Sequence, residues 1–301
     1  MPLKTIQISL LLGLLWSCSD PDEKQHRPLV HQINLEQINL DSPLFAKLNS
    51  KTSFGETYVD FSYNYMQTSL FKRHINTIGL CIDPDNSEYI RRYSYSYKKA
   101  GEHEKAIKML DLSIDSETDI SEKLYNLDYA AWSYLYFYRD YKNTIASVDK
   151  IMDLNGNDHS FSCHGESCLL LKGQAHYRLG QFEKAIAVFE TFQNNEKQQG
   201  FDPMDNFYIV FYKAICQVEL QRYDEAKLNF THLISEHPSA EVSFQLAKLY
   251  FHLSDFEKAK IHLNNAQKAL ANGYTFKEPY FERFDKVFEH HIQNLSKKIN
   301  L

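Results

Sequence analysis

Residues 169–190 read LLLKGQAHYRLGQFEKAIAVFE, and the spacing inside this stretch decides the fold. Phe182 is followed three positions later by Ala185 and seven positions later by Phe189, and Gly173 stands nine positions before it. Offsets of 0, 3 and 7 put side chains on one face of a helix. A residue without a side chain nine positions earlier lets a preceding helix approach that face closely. The stretch therefore predicts two antiparallel helices joined by a short turn.

The same pattern returns along the chain with anchors at His103, Tyr141, Phe182, Tyr223 and Phe256, which are 38, 41, 41 and 33 residues apart. Three positions on stand Ala106, Thr144, Ala185, Ala226 and Ala259, and seven on stand Leu110, Val148, Phe189, Phe230 and Leu263. Nine positions before the anchors are Ser94, Trp132, Gly173, Ala214 and Ala247. This pattern resembles the tetratricopeptide repeat, whose period is about 34 residues. Leu169–Glu190 and Ser243–Ala266 are the fullest units, while Trp132 and Thr144 depart from the small residues expected at their places. The resemblance implies an all-α fold, a right-handed superhelical solenoid of about five helix-turn-helix units over 87–273.

Around the repeats the chain divides further. Residues 41–86 form an N-terminal helical region, read as a degenerate repeat in which Tyr58, Phe61, Tyr65 and Leu70 mark one amphipathic helix. Boundaries between units carry helix-stop residues such as Asn155-Gly156, Pro238 and Asn272-Gly273. Ser254 with Glu257 has the spacing of a capping box. In 274–301, Phe281, Phe284, Phe288, Ile292 and Leu295 are spaced for one face of a final helix. A helix there caps the stack, because the last unit otherwise exposes its packing face.

At the start, Lys4 precedes the apolar run Ile6–Trp16, followed by Ser17-Cys18 and then polar Ser19–Lys24. The run is shorter than the roughly 20 residues that span a bilayer and fits the apolar core of a secretory signal. Leu15-Trp16-Ser17-Cys18 resembles the bacterial lipobox, which implies a signal peptide over 1–17, acylation of Cys18 and a polar tether over 18–40. Ser19 after the cysteine resembles the outer-membrane sorting pattern, and Asp20, Asp22 and Glu23 resemble a surface-export tag. The expected location is a bacterial outer membrane lipoprotein, periplasmic or surface-exposed.

Composition narrows the function. With 33 Lys and Arg against 39 Asp and Glu, a formal charge of −6 argues against a nucleic-acid binder. Twenty Tyr and twenty Phe suit interlocking helices and leave rings for a groove. His159, Cys163, His164 and Cys168 cluster in one inserted loop, open to three readings: a disulfide, free thiols or a metal site. No zinc motif, catalytic triad, phosphate loop or dinucleotide fingerprint is present, so neither a metal, a cofactor nor an enzymatic activity is expected.

In the tetratricopeptide family the first helix of each pair lines a concave surface. Carried over by position, this implies a groove of Arg91, Tyr95, Lys98 and Lys99, then Tyr129, Tyr136 and Phe137, then Gln174, Tyr177 and Arg178, then Tyr208 and Phe211, and last Phe244, Lys248, Phe251 and His252. The lysine and asparagine clamp of chaperone-docking members is missing, its places being held by Arg91, Tyr95, Ala130, Ser167 and Leu171. The expected function is a lipid-anchored scaffold that binds protein or peptide partners in the envelope, with outer-membrane assembly as one setting. The alternative is a surface component that grips glycans or peptides with its aromatic groove.

Overall fold

The computed structural model describes residues 60–82 and 85–299. Cys18, the segments 1–17 and 18–40, and the part of the N-terminal region up to Val59 lie outside the described residues. Two compact units divide the chain, 1–126 and 127–301.

The N-terminal unit contains α1 (Leu70–Ile82), α2 (Ser87–Lys99), α3 (His103–Ser116) and the start of α4 (Ile120–Ser133). The C-terminal unit takes the rest of α4, then α5 (Tyr141–Leu154), α6 (Cys168–Arg178), α7 (Phe182–Gln198), α8 (Phe207–Glu219), α9 (Tyr223–Glu236), α10 (Ala240–His252), α11 (Phe256–Ala271) and α12 (Glu289–Ile299). A hairpin of two-residue strands, Ser162–Cys163 and Glu166–Ser167, is the only sheet among the described residues. The fold is all-α.

Backbone geometry identifies the repeat directly. Two residues before every anchor the chain turns through a positive φ, at Gly101, Arg139, Gly180, Gln221 and Ser254. The amide just before the anchor then reaches back to close the turn: Glu102 to the Tyr97 carbonyl, Gln181 to His176, Arg222 to Gln217 and Asp255 to Tyr250, all at 2.8–3.0 Å. Each of these bonds spans five residues, the left-handed helix ending that satisfies orphaned carbonyls. The residues three and seven positions after the anchors are all buried. Gly173 shows why the position nine before must be small, since a β-carbon there would sit 2.1 Å from the Phe189 ring.

One unit carries an extra residue. Here α4 continues into a π-helical turn, Tyr134–Tyr138, and the closing bond runs from the Asp140 amide to the Tyr134 carbonyl, six residues back. A π turn lengthens the loop of each hydrogen bond by one residue. Counting it moves the close-approach position from Trp132 to Ala131, which is fully buried. Trp132 is thereby turned toward Tyr129, Phe137 and His164.

Three local expectations change. Ser254 does not cap α11; it takes the left-handed turn, and the Asp255 carboxylate accepts from the Lys258 amide instead. Phe61 and Tyr65 precede α1, which begins at Leu70; Phe61 meets Tyr65 edge-on, and Tyr65 meets Phe71 the same way. The final helix begins at Glu289, so Phe281, Phe284 and Phe288 precede it. Residues 274–288 are irregular, with Asp285 at φ 58, a backbone that interrupts a helix. On a helix Phe281 and Arg283 project to opposite sides; in the irregular segment both reach the first helices of the repeats. Ile292, Leu295 and Ile299 of α12 are buried, and α12 packs on α11.

Candidate functional site

Asn206 caps α8 and Ser239 caps α10 by accepting from the amides three residues on, and Ser167 caps α6. With α4 and its π turn, these helices present Tyr136, Gln174, Tyr177, Tyr208 and Tyr212. Across them runs the irregular segment 275–287, here called the strap.

Both ends of the strap are pinned by one side chain. Glu241, in the first turn of α10 and fully buried, accepts from the Phe276 amide at 3.1 Å and the Val287 amide at 3.2 Å, and from the Thr275 hydroxyl. A carboxylate is favoured at a helix N-terminus by the axial dipole. Phe276 then fills a pocket among Phe207, Tyr208 and Phe211.

Arg283 is the central contact. Its guanidinium reaches Glu166 of the hairpin and Glu278 of the strap, both at 2.6 Å, and lies 3.7 Å from the centre of the Tyr208 ring. Tyr136 donates its hydroxyl proton to Glu166 at 2.7 Å and lies 2.7 Å from the Gln174 amide. Burial pushes the Tyr136 phenol well above its usual range, with the Glu166 charge adding to the shift, so the phenol stays a donor. Phe281 stacks on Tyr136 with centroids 3.9 Å apart and meets Trp132 edge-on at 5.7 Å. Phe284 lies under the cations of Arg139, at 4.5 Å, and Arg178, at 5.0 Å.

The strap backbone is held by side chains. Tyr212 donates to the Phe284 carbonyl at 2.9 Å, and Arg139 to the Glu282 carbonyl at 3.0 Å. Tyr177 donates to the Asp285 carboxylate at 3.0 Å, and burial raises the pKa of that carboxyl. Burial also pushes the Tyr208 phenol up to about 12.

The groove residues expected from the sequence separate accordingly. Tyr136, Gln174, Tyr177 and Tyr208 meet the strap, and Arg178 borders it. Phe211 is fully buried beneath Phe276, and Tyr129 and Phe137 pack around Trp132. Phe244 faces His291 of α12, Phe251 packs on Phe256, Lys248 is half-buried, and His252 is exposed.

In the N-terminal unit the expected basic surface is largely interior. Arg91 is buried, donates to Asn126 at 2.6 Å and lies over the Tyr125 ring. Lys98 is buried, and loss of solvation, with Lys99 beside it, lowers its pKa to about 7. Tyr95 is half-buried and Lys99 exposed. Cys163 and Cys168 are joined in a disulfide, and the His164 ring lies tilted against Trp132 with centroids 4.6 Å apart.

Sequence reasoning misses Glu166, Tyr212, Glu241, Phe281, Arg283 and Asp285 as groove residues. One signal was available: Pro279 follows Glu278 inside an aromatic-rich stretch, no Ser, Thr, Asp or Asn stands between it and Asp285, and a residue before proline favours extended backbone.

Comparison with known proteins bears on the same elements. A family model described as the tetratricopeptide repeat matches residues 167–197 and 209–240, which cover α6 with α7 and α8 with α9. The chain carries tetratricopeptide repeats. Its fold is similar to that of PilW, a widely conserved type IV pilus biogenesis factor, at TM-score 0.55 and 15% identity over 81% of this chain and 99% of that one. PilF of Pseudomonas aeruginosa is similar at TM-score 0.52 and 13% identity, over 81% of this chain and 97% of that one. A chain of the APC/C hetero-tetramer Cut9-Hcn1 is similar at TM-score 0.52 and 14% identity over 85% of this chain, which spans 45% of that chain's length. No curated protein matches the chain. At these identities the structural likeness shows the fold alone; the match to the tetratricopeptide repeat supports a scaffold that binds protein or peptide partners.

Proposed function

We propose that this tetratricopeptide-repeat protein is a lipid-anchored scaffold of a bacterial envelope, tethered through Cys18 and engaging an extended partner segment on the first helices of its C-terminal repeats. The observation that carries the reading is the strap itself. Tyr136, Tyr177 and Tyr212 already hold an irregular stretch of polypeptide through its side chains and carbonyls, which is how a peptide-binding groove works. No catalytic step is assigned to the chain. A glycan-gripping groove is the weaker reading, because sugar stacking needs open ring faces and Tyr136 and Phe211 are buried under Phe281 and Phe276.

Membrane fractionation tests the anchor. Cys18→Ala should move the protein from the membrane to the soluble fraction, and mass spectrometry should find acyl chains on the wild-type N-terminus. An unmodified wild-type chain would refute lipid anchoring. Outer-membrane assembly is one setting for such a scaffold, and co-purification of barrel proteins with the anchored chain is the result it predicts.

A further inference from the structure

We propose that the strap is an internal stand-in for a partner peptide. The site between the π turn, α6 and α8 then takes an extended segment in which an aromatic residue, any residue, an arginine and a second aromatic follow one another, as in Phe281-Glu282-Arg283-Phe284. This rests on the reading of the chain as a peptide-binding scaffold and names the peptide chemistry.

Three observations lead there. First, side chains of the body hold four backbone groups of the strap: the Phe276 and Val287 amides donate to Glu241, the Glu282 carbonyl accepts from Arg139 and the Phe284 carbonyl accepts from Tyr212. Strap carbonyls and amides are met by side chains of the body, a mode of holding that serves any extended peptide and leaves selection to its side chains. Second, the body supplies three walls of an arginine pocket from separate elements, a carboxylate at Glu166, a ring face at Tyr208 and a phenol at Tyr136, and Glu278 of the strap closes it. Carboxylate and aromatic face together match a planar guanidinium better than an ammonium. The buried cation and the wall carboxylate are complementary in charge, 2.6 Å apart.

Third, the internal segment fits imperfectly. The Asp285 Oδ2, Glu241 Oε2 and Gln174 Nε2 atoms are buried at this contact without a hydrogen-bond partner. Asp285 is also held at φ 58, a conformation uncommon outside glycine. Buried polar groups are normally paired, so a segment that pairs Glu241 and Gln174 and brings no unpaired carboxylate in place of Asp285 binds the same groove more tightly than the strap does. The strap nevertheless has the advantage of its tether, an effective concentration on the order of millimolar. A partner's apparent affinity is then reduced by the fraction of chains whose groove is open. Strap and partner exclude one another, and the chain is quiescent until a segment with a better match arrives.

The test uses a fluorescein-labelled peptide with the sequence of residues 274–288, titrated into the full chain and followed by anisotropy. The peptide should bind the Phe281→Ala, Arg283→Ala chain at least tenfold more tightly than wild type, because that chain's own strap has lost its anchors. Replacing the peptide's arginine by lysine or alanine should weaken binding about tenfold or more, and so should adding Glu166→Gln to the double variant. If the double variant does not melt cooperatively, Arg283→Lys is used in its place, with an intermediate gain expected. Absence of peptide binding to a variant of native helicity would overturn the proposal, as would binding indifferent to the arginine. A strap-dependent dimer in sedimentation would assign the groove to a second copy and overturn it equally. None of these failures touches the scaffold reading, which stands or falls on the Cys18 fractionation and on partner recovery.

Discussion

The guanidinium of Arg283 and the carboxylate of Glu166 lie 2.6 Å apart although 117 residues separate them in sequence. Arg283 is nearly inaccessible, Glu166 belongs to the hairpin that leads into α6, and the pair ties the strap to the body. Removing one partner of a buried charge pair ordinarily destabilises by about 3–5 kcal/mol. Glu278 keeps a second carboxylate on Arg283. Glu166→Gln is therefore expected to weaken strap docking by about 1–3 kcal/mol, the usual loss of a charge-assisted hydrogen bond. Amide exchange over 277–286 should rise tenfold or more while α9 and α11 keep their protection.

Packing within a repeat gives a second prediction. Because a β-carbon at Gly173 would meet the Phe189 ring at 2.1 Å, Gly173→Leu forces α6 and α7 apart. Overpacking of this kind is destabilising by about 1–3 kcal/mol, a fall in Tm of roughly 3–10 °C for a chain of this size. Adding Phe189→Leu should recover part of the loss. Unchanged melting of Gly173→Leu would contradict the pairing of these positions.

The repeat register was legible because each unit states it several times. Five anchors and five buried small residues agree, with a left-handed residue at the same place in all five turns, so one departure such as Trp132 does not hide the pattern. The π turn was not legible, since a single extra residue in α4 shifts the register by one without leaving a compositional mark. Nor was the strap, because Phe281, Phe284 and Phe288 have helical spacing and only the long-range contacts of Arg283 and Asp285 decide against a helix. Groove positions taken from the family include Tyr136, Gln174, Tyr177 and Tyr208, which meet the strap, but say nothing of what covers them. Arg91, taken from the same transfer, is buried and turns inward to Asn126. Arg91→Glu is accordingly expected to destabilise the N-terminal unit, whereas Lys99→Glu, at an exposed position, should leave melting unchanged.

Protonation of the Asp285 carboxyl should favour the docked strap. Burial raises the Asp285 carboxyl above its ordinary value of 3.8, partly offset by the Tyr177 hydrogen bond and the charges of Lys248 and Arg178. The docked form therefore binds a proton more tightly than the released form, and docking is strongest where Asp285 is protonated when docked. That advantage is lost as pH rises from about 3.8 through the raised value. Asp285→Asn should remove this contribution. His176 and His262, whose pKa values burial lowers, contribute with the opposite sign to global stability, so the measurement must report strap docking and not melting.

The disulfide acts on the same contact. Cys163 and Cys168 bracket Glu166, and a ring this short is worth about 2 kcal/mol in the chain-entropy picture. Dithiothreitol, or Cys163→Ser with Cys168→Ser, should loosen the hairpin and weaken strap docking in parallel with Glu166→Gln. Equal docking in the oxidised and reduced chain would separate the hairpin from the strap.

Trp132 reports on the strap most directly. The chain has two tryptophans, Trp16 and Trp132, so in a Trp16→Phe chain Trp132 alone emits. It is buried, and Phe281 of the strap meets its ring edge-on at 5.7 Å. If the strap is a detachable occupant of the groove, Phe281→Ala with Arg283→Ala should red-shift Trp132 emission and increase its quenching by acrylamide, with far-UV circular dichroism unchanged, and excess 274–288 peptide should reverse both effects. Emission and quenching identical to wild type, with or without the peptide, would contradict the account.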